Sequence, residues 1–146
     1  MNASRRTTGI MLDVRITLAA LWIAGMLASL NGDTYRLSDP DSLKAMLANT
    51  GPIVTTPGLL LVMSLMFVVP IFMSVLTLML KYPVSRGANR IMGKVYAIIN
   101  LVFWVISLVL RSPGYAIVWS SAQLVFALLV VWYAWKWPKP EEGDAE

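Results

Sequence analysis

At 146 residues the chain has the length of one soluble domain, but 58% hydrophobic residues, 14% charged residues and a mean hydropathy of +0.68 belong to a membrane protein. With no Cys and no His, thiol redox chemistry, disulfides, imidazole-ligated haem and Cys/His zinc sites are excluded, and hydroxyls, carboxylates, amides and amines are left for any chemistry. The net charge of +4 would suit nucleic acid, yet in a membrane chain the informative quantity is where the cations sit, and no nucleic-acid partner is expected.

The first apolar run covers residues 10–30. Arg5 and Arg6 precede it in the manner of a cleavable signal. Asp13 and Arg15 interrupt its entry, however, and Met26-Leu27-Ala28-Ser29-Leu30 offers no small-x-small cleavage site, so the run reads as a retained span. Met11 is an alternative start whose choice removes only Arg5 and Arg6 from the charge count.

Residues 31–56 form the one loop with room for structure of its own. Asp39 is placed to cap a helix with Pro40 at its first position; Leu43, Met46 and Leu47 recur at helical spacing and Asn49-Thr50-Gly51 stops it. A short amphipathic helix over 40–48 is expected, in competition with a plain loop, because so short a helix is marginal alone.

The second run, 57–80, contains Pro70. A short basic loop, 81–92, leads to the third run, 93–110. Arg111-Ser112-Pro113-Gly114 reads as a type II turn that folds the third run against the fourth, 115–135, as an antiparallel hairpin. At 1.5 Å per residue these runs reach about 27–36 Å against a hydrocarbon core of about 30 Å. The residues 138–146, rich in carboxylate and Pro, are expected to be a disordered cytoplasmic tail. The predicted fold is therefore all-α: a single four-span membrane domain over residues 1–137, built as a four-helix bundle with a short amphipathic helix in the first outer loop.

Orientation follows from charge. Arg5, Arg6, Lys81, Arg86, Arg90, Lys94, Lys136 and Lys139 share one side, with Arg15 just inside the membrane, while Arg36, Lys44 and Arg111 occupy the other. Because Lys and Arg resist translocation, both termini are expected in the cytoplasm, in a cell (inner or plasma) membrane. Arg15, about 200° around its helix from Asp13, is expected to snorkel, and with Lys81, Arg86 and Arg90 to meet lipid headgroups. Asp33 and Arg36 are spaced for a local ion pair at the outer mouth.

Lipid tails are as apolar as leucine, so small and polar positions mark the protein-facing side of each span. The stripes are Asp13, Thr17, Ala20, Ala24 and Ala28; Pro70, Ser74 and Thr77; Gly93, Tyr96, Ala97, Asn100, Ser107 and Arg111; and Ala116, Ser120, Gln123, Ala127 and Ala134. Trp104 is expected to pack. Asn100 and Gln123 must find partners, since unpaired polar groups are costly in a bilayer. Together with Ser74 and the Met66 carbonyl freed by Pro70, they form either interhelical glue or the lining of a polar cavity. Asp13, the one carboxylate inside a span, is a proton or cation site, or else a partner of Lys94 or another loop cation. Asp13, Ser74, Asn100 and Gln123 are thus the candidate ligand or ion residues.

The segments Met11-Leu12-Asp13-Val14-Arg15, Ala20-Leu21-Trp22, Gly32-Asp33, Tyr82-Pro83-Val84, Arg86, Ala88-Asn89 and Val131-Trp132-Tyr133-Ala134-Trp135-Lys136-Trp137 resemble a family of small four-span prokaryotic membrane proteins of unknown function. The resemblance covers nearly all of the chain from Met11 and implies a topology without an activity. Small four-span multidrug exporters carry a Glu in their first span, to which Asp13 is only loosely analogous. The Glu-Arg and Asn-x-x-Glu residues of the eicosanoid and glutathione membrane enzymes are absent.

A structural or accessory bundle, self-associating or a subunit, is the reading that requires least. The alternative is a small-solute or proton-coupled carrier using Asp13 with a midplane site at Asn100 and Gln123. An enzyme is the weakest reading, because no nucleophile–base pair, metal set or phosphate loop can be assembled. The expected partners are the lipid bilayer and further copies of the chain, with no cofactor and no metal.

Overall fold

The computed structural model describes residues 3–50 and 54–137, with side chains from residue 12 onward. The expected tail, the side chains of Arg5 and Arg6, and Gly51 lie outside the described residues. Those residues form five helices and no strand: α1 (Ala3–Ser38), α2 (Pro40–Leu47), α3 (Pro57–Met79), α4 (Tyr82–Val109) and α5 (Gly114–Lys136). Four helical segments, Leu12–Ser38, Pro57–Met79, Tyr82–Val109 and Gly114–Lys136, are long and apolar enough to cross a membrane. The all-helical class with four long apolar helices is as expected.

Helix limits differ from the apolar runs in two places, for the same reason: polarity alone does not stop a helix. Beyond Leu30, α1 continues to Ser38, because Asn31, Thr34 and Ser38 fold their side chains back onto the carbonyls of Leu27, Leu30 and Thr34, each at 2.9 Å. No Pro intervenes before Pro40. The segment expected as a basic loop, 81–92, is almost all helix, since Pro83 sits in the first turn of α4, where its missing N–H is harmless and its fixed φ suits the helix. Only Leu80 and Lys81 join α3 to α4.

The short helix expected in the first loop forms as read. The Asp39 side chain accepts from the Asp41 N–H at 3.3 Å, and the helix closes in a Schellman motif: Thr50 N–H donates to Ala45 O at 3.0 Å and Asn49 N–H to Met46 O at 3.1 Å, with Asn49 left-handed at φ 51°. The α4–α5 connection uses the same device. Ser112 N–H donates to Ser107 O at 2.9 Å and Arg111 N–H to Leu108 O at 3.1 Å, and the left-handed residue is Arg111, at φ 49°. The expected type II turn with a left-handed Gly114 is not formed; Gly114 instead opens α5. The hairpin of α4 and α5 is nevertheless antiparallel and closely packed.

The helices lie in the order α3, α1, α5, α4, each packed along its neighbour, whereas α3 and α4 touch little although they are consecutive. The core comprises Leu18, Trp22, Met73, Val130, Ala134 and Trp137, ringed by Val14, Leu21, Val69, Tyr82, Ala88, Met92 and Tyr96. It lies at the end of the bundle where α3 finishes, α4 begins and α5 finishes. Elsewhere large apolar side chains face outward, as contact with lipid requires. Close approach is made at Gly93, where a Cβ would meet Val130 Cγ1 at 3.1 Å, and at Gly32, where it would meet Trp119 Cβ at 3.2 Å.

On α1 the buried residues are Leu18, Ala19, Trp22 and Ala28; of the expected stripe Ala28 is buried, Thr17 and Ala24 are half-buried, and Asp13 and Ala20 are exposed. This helix packs between two others through both large and small side chains, so the stripe of small residues marks only part of its interior. On α3 the expected Pro70, Ser74 and Thr77 are buried.

Candidate functional site

The polar centre of the molecule is Asn89, fully buried in the second turn of α4. Trp22 Nε1 on α1 donates to Asn89 Oδ1 at 2.8 Å. Asn89 Nδ2 donates to Thr77 Oγ1 on α3 at 2.9 Å and to Ser85 O at 2.8 Å. The Thr77 hydroxyl gives its proton to Met73 O at 2.6 Å, and Ser85 Oγ donates to Thr77 O at 3.0 Å. One amide thus ties three helices, and both of its protons and its carbonyl oxygen are engaged within the bundle. Buried polar groups in this saturated state rigidify a core and offer no proton to a ligand.

Trp22 also meets Tyr96 edge to face, with centroids 5.4 Å apart. Tyr96 OH donates to the Met66 carbonyl, the one that Pro70 deprives of its helical partner. The polar line therefore runs from Asn89 through Trp22 and Tyr96 to α3.

No hydrogen bond joins the four residues expected to form a ligand or ion site to one another among the described residues. Asp13 is exposed, and its backbone carbonyl accepts from Thr17 Oγ1 at 2.8 Å. Lys94, considered as its partner, lies over the Trp135 ring, 4.4 Å from the centroid. Ser74 Oγ donates to Ile71 O at 2.7 Å and Asn100 Nδ2 to Tyr96 O at 2.8 Å, both within their own helices. Gln123 is half-buried on α5, and no hydrogen bond joins it to Asn100 among the described residues. Trp104 packs between α4 and α5, with Nε1 donating to Ser121 Oγ at 2.9 Å.

Sequence reasoning missed Asn89 and Ser85 because both were assigned to a loop. The signal was available: Pro83 marks a helix start, and Ser85, Asn89 and Gly93 recur every four residues in line with the polar stripe that continues to Tyr96 and Asn100.

The cations expected at lipid headgroups gather at the end of the bundle that holds the core, and two of them serve helix termini. Arg15 Nη1 reaches Leu78 O at 3.4 Å, in the last turn of α3. Arg90 Nε donates to Ala134 O at 3.0 Å and Nη2 to Trp135 O at 2.9 Å, clamping the last turn of α5, with its guanidinium 4.9 Å from the Trp135 ring centroid. Each answers carbonyls that lack a helical donor and complements the negative end of a helix dipole. Lys136 covers Trp132 at 4.0 Å and Arg86 the Tyr82 ring at 5.9 Å, while Lys81 is exposed.

At the opposite end, Asp39 Oδ2 accepts from Ser42 Oγ at 2.7 Å and from Tyr115 OH at 3.0 Å, fastening α2 to α5. These two hydrogen bonds hold the Asp39 carboxyl below the usual aspartate value. Tyr35 stacks on Trp119 with centroids 5.9 Å apart. Among the described residues Asp33 and Arg36 form no direct salt bridge, although their charges still interact, and Arg36 Nη2 contacts Met46 Sδ at 3.5 Å.

The family model described as Family of unknown function (DUF6326) matches residues 12–143, and the chain belongs to that family. No curated protein and no solved structure matches it.

Proposed function

We propose that this member of a family of unknown function is a structural or accessory integral membrane protein. Its buried polar groups serve as interhelical glue, and its outward apolar faces meet lipid or further copies of itself. The single membrane domain over residues 1–137 has both termini in the cytoplasm of a cell membrane, the side to which the cationic end of the bundle is suited. One observation carries the reading: Asn89, the most deeply placed amide, has every hydrogen-bonding group engaged by Trp22, Thr77 and Ser85. A carrier needs polar groups that exchange partners with a solute, whereas Ser74 and Asn100 bond within their own helices and Asp13 faces outward.

Asn89→Leu tests the reading, because it strands the Trp22 indole N–H in the core, a loss of about 1–3 kcal/mol. The expected result is a lower Tm in detergent, with vesicles containing wild-type protein no more permeable to protons or small solutes than protein-free vesicles. Flux through the wild type that is abolished by Asp13→Asn or Asn100→Leu, with the fold retained, would establish the carrier instead.

A further inference from the structure

We infer that the junction of the α3–α4 turn with the end of α5 binds the phosphate group of an anionic lipid, with Arg86 and Trp137, both packed against the Tyr82 ring, as donors. The inference rests on the membrane reading above and deepens it, from general attraction to a charged surface to one stoichiometric site.

Two side chains meet the same ring from different helices. The Arg86 guanidinium lies 5.9 Å from the Tyr82 centroid, and the Trp137 ring packs edge-on at 5.4 Å and 88°. Trp137 is 1% exposed, and among the described residues neither its Nε1 nor Arg86 Nε has a hydrogen-bond partner, although both atoms are shielded from solvent. Other donors of the same kinds are answered: Trp22 at this end of the bundle by Asn89, Arg90 by two carbonyls, and Trp104 farther along α4 by Ser121. Burying a donor unpaired forfeits its bond to water with nothing in return, and native proteins rarely leave one so. Two orphan donors beside one ring therefore point to an acceptor supplied from outside the bundle.

The chemistry of the donors selects that acceptor. A guanidinium calls for an anion, and a phosphate group has oxygens enough to serve a guanidinium and an indole together. The surroundings are cationic. Lys81 stands exposed at the N-cap of α4 without a side-chain cap bond, and the positive end of the α4 dipole lies beneath it. Trp132, Trp135 and Lys136 lie at the same end of α5, the residue types that gather at headgroup level. An anionic phospholipid is the phosphate carrier found at that depth.

The test uses the full chain in detergent, titrated with phosphatidylglycerol, phosphatidylcholine or inorganic phosphate. Bound lipid is counted by native mass spectrometry and Tm is followed in parallel. One phosphatidylglycerol per chain is expected, held more tightly than phosphatidylcholine. Arg86→Gln and Trp137→Phe should each weaken it roughly tenfold, the scale of one charge-assisted hydrogen bond, while Lys81→Gln changes it far less. Trp137→Phe keeps a ring against Tyr82, and the half-buried Arg86 supplies a second variant should that substitution impair folding.

Unchanged retention in both variants, or an equal loss on Lys81→Gln, would overturn the site. Equal stabilisation by inorganic phosphate would transfer it to a soluble anion and end the lipid assignment. A loss of stability on replacing Glu141 and Glu142 with Gln, matching that of Arg86→Gln, would make the chain's own carboxylates the acceptor, with the same consequence. Asn89→Leu in the same assay separates the two readings: it lowers Tm without altering the lipid count, and a failure of the glue reading appears in that variant alone.

Discussion

Single polar side chains do more to join this bundle than any stripe of small residues. Asn89 was missed despite its helical spacing because its neighbours Arg86 and Arg90 gave the segment the polarity of a loop, and polarity is how a loop is first recognised. Thr77, in an apolar run, was legible as interior. At the other end, Asp39 holds Tyr115 OH and Ser42 Oγ. Its carboxyl is lowered by those bonds, so the stabilisation it gives is present above the ordinary aspartate value of about 3.9 and is lost as pH falls through its value in the folded protein. Melting curves between about pH 6 and pH 3 should show this acid loss in the wild type and a smaller one in Asp39→Asn, which retains an N-capping side chain. Superimposable pH profiles would show that the Asp39 charge contributes nothing to folding.

Helix ends account for the clearest gains and losses in reading the elements. The cap at Asp39 and the stop at Asn49 were legible because Asp before Pro and Asn after an apolar stretch have local physical meanings. The Pro113-Gly114 pair misled, since it also suits a turn that the chain does not make: the reversal is completed one step earlier, at Arg111, and Pro113 then leads directly into α5. Arg111 in the left-handed region is under backbone strain that Gly does not feel. Arg111→Gly should therefore raise stability by up to about 1 kcal/mol in thermal melts. Gly114→Ala should be neutral or slightly stabilising, because a Cβ there meets nothing within 4 Å and φ is not positive. Destabilisation by Gly114→Ala would restore the type II turn. The two clamps on helix C-termini, from Arg15 and Arg90, had no sequence signal, because each reaches a carbonyl on a different helix.

Across the whole molecule, hydropathy made the number of long helices legible but not their neighbours, which depend on side chains meeting across distant parts of the chain. The cationic end, with Lys81, Arg86, Arg90, Lys94 and Lys136, sets the proposed orientation. The natural absence of Cys makes that directly measurable. A single Lys81→Cys should react with a membrane-impermeant maleimide only after permeabilisation, and a single Asn49→Cys should react in intact cells; the reverse pattern would invert the topology. The helix order carries a further consequence for biosynthesis. Residues 12–38 pair mainly with α5, and Trp137, at its very end, completes the core around Leu18 and Trp22. Within this bundle α1 is thus made well before its main partner, and the core around Leu18 and Trp22 cannot close until synthesis has passed residue 137.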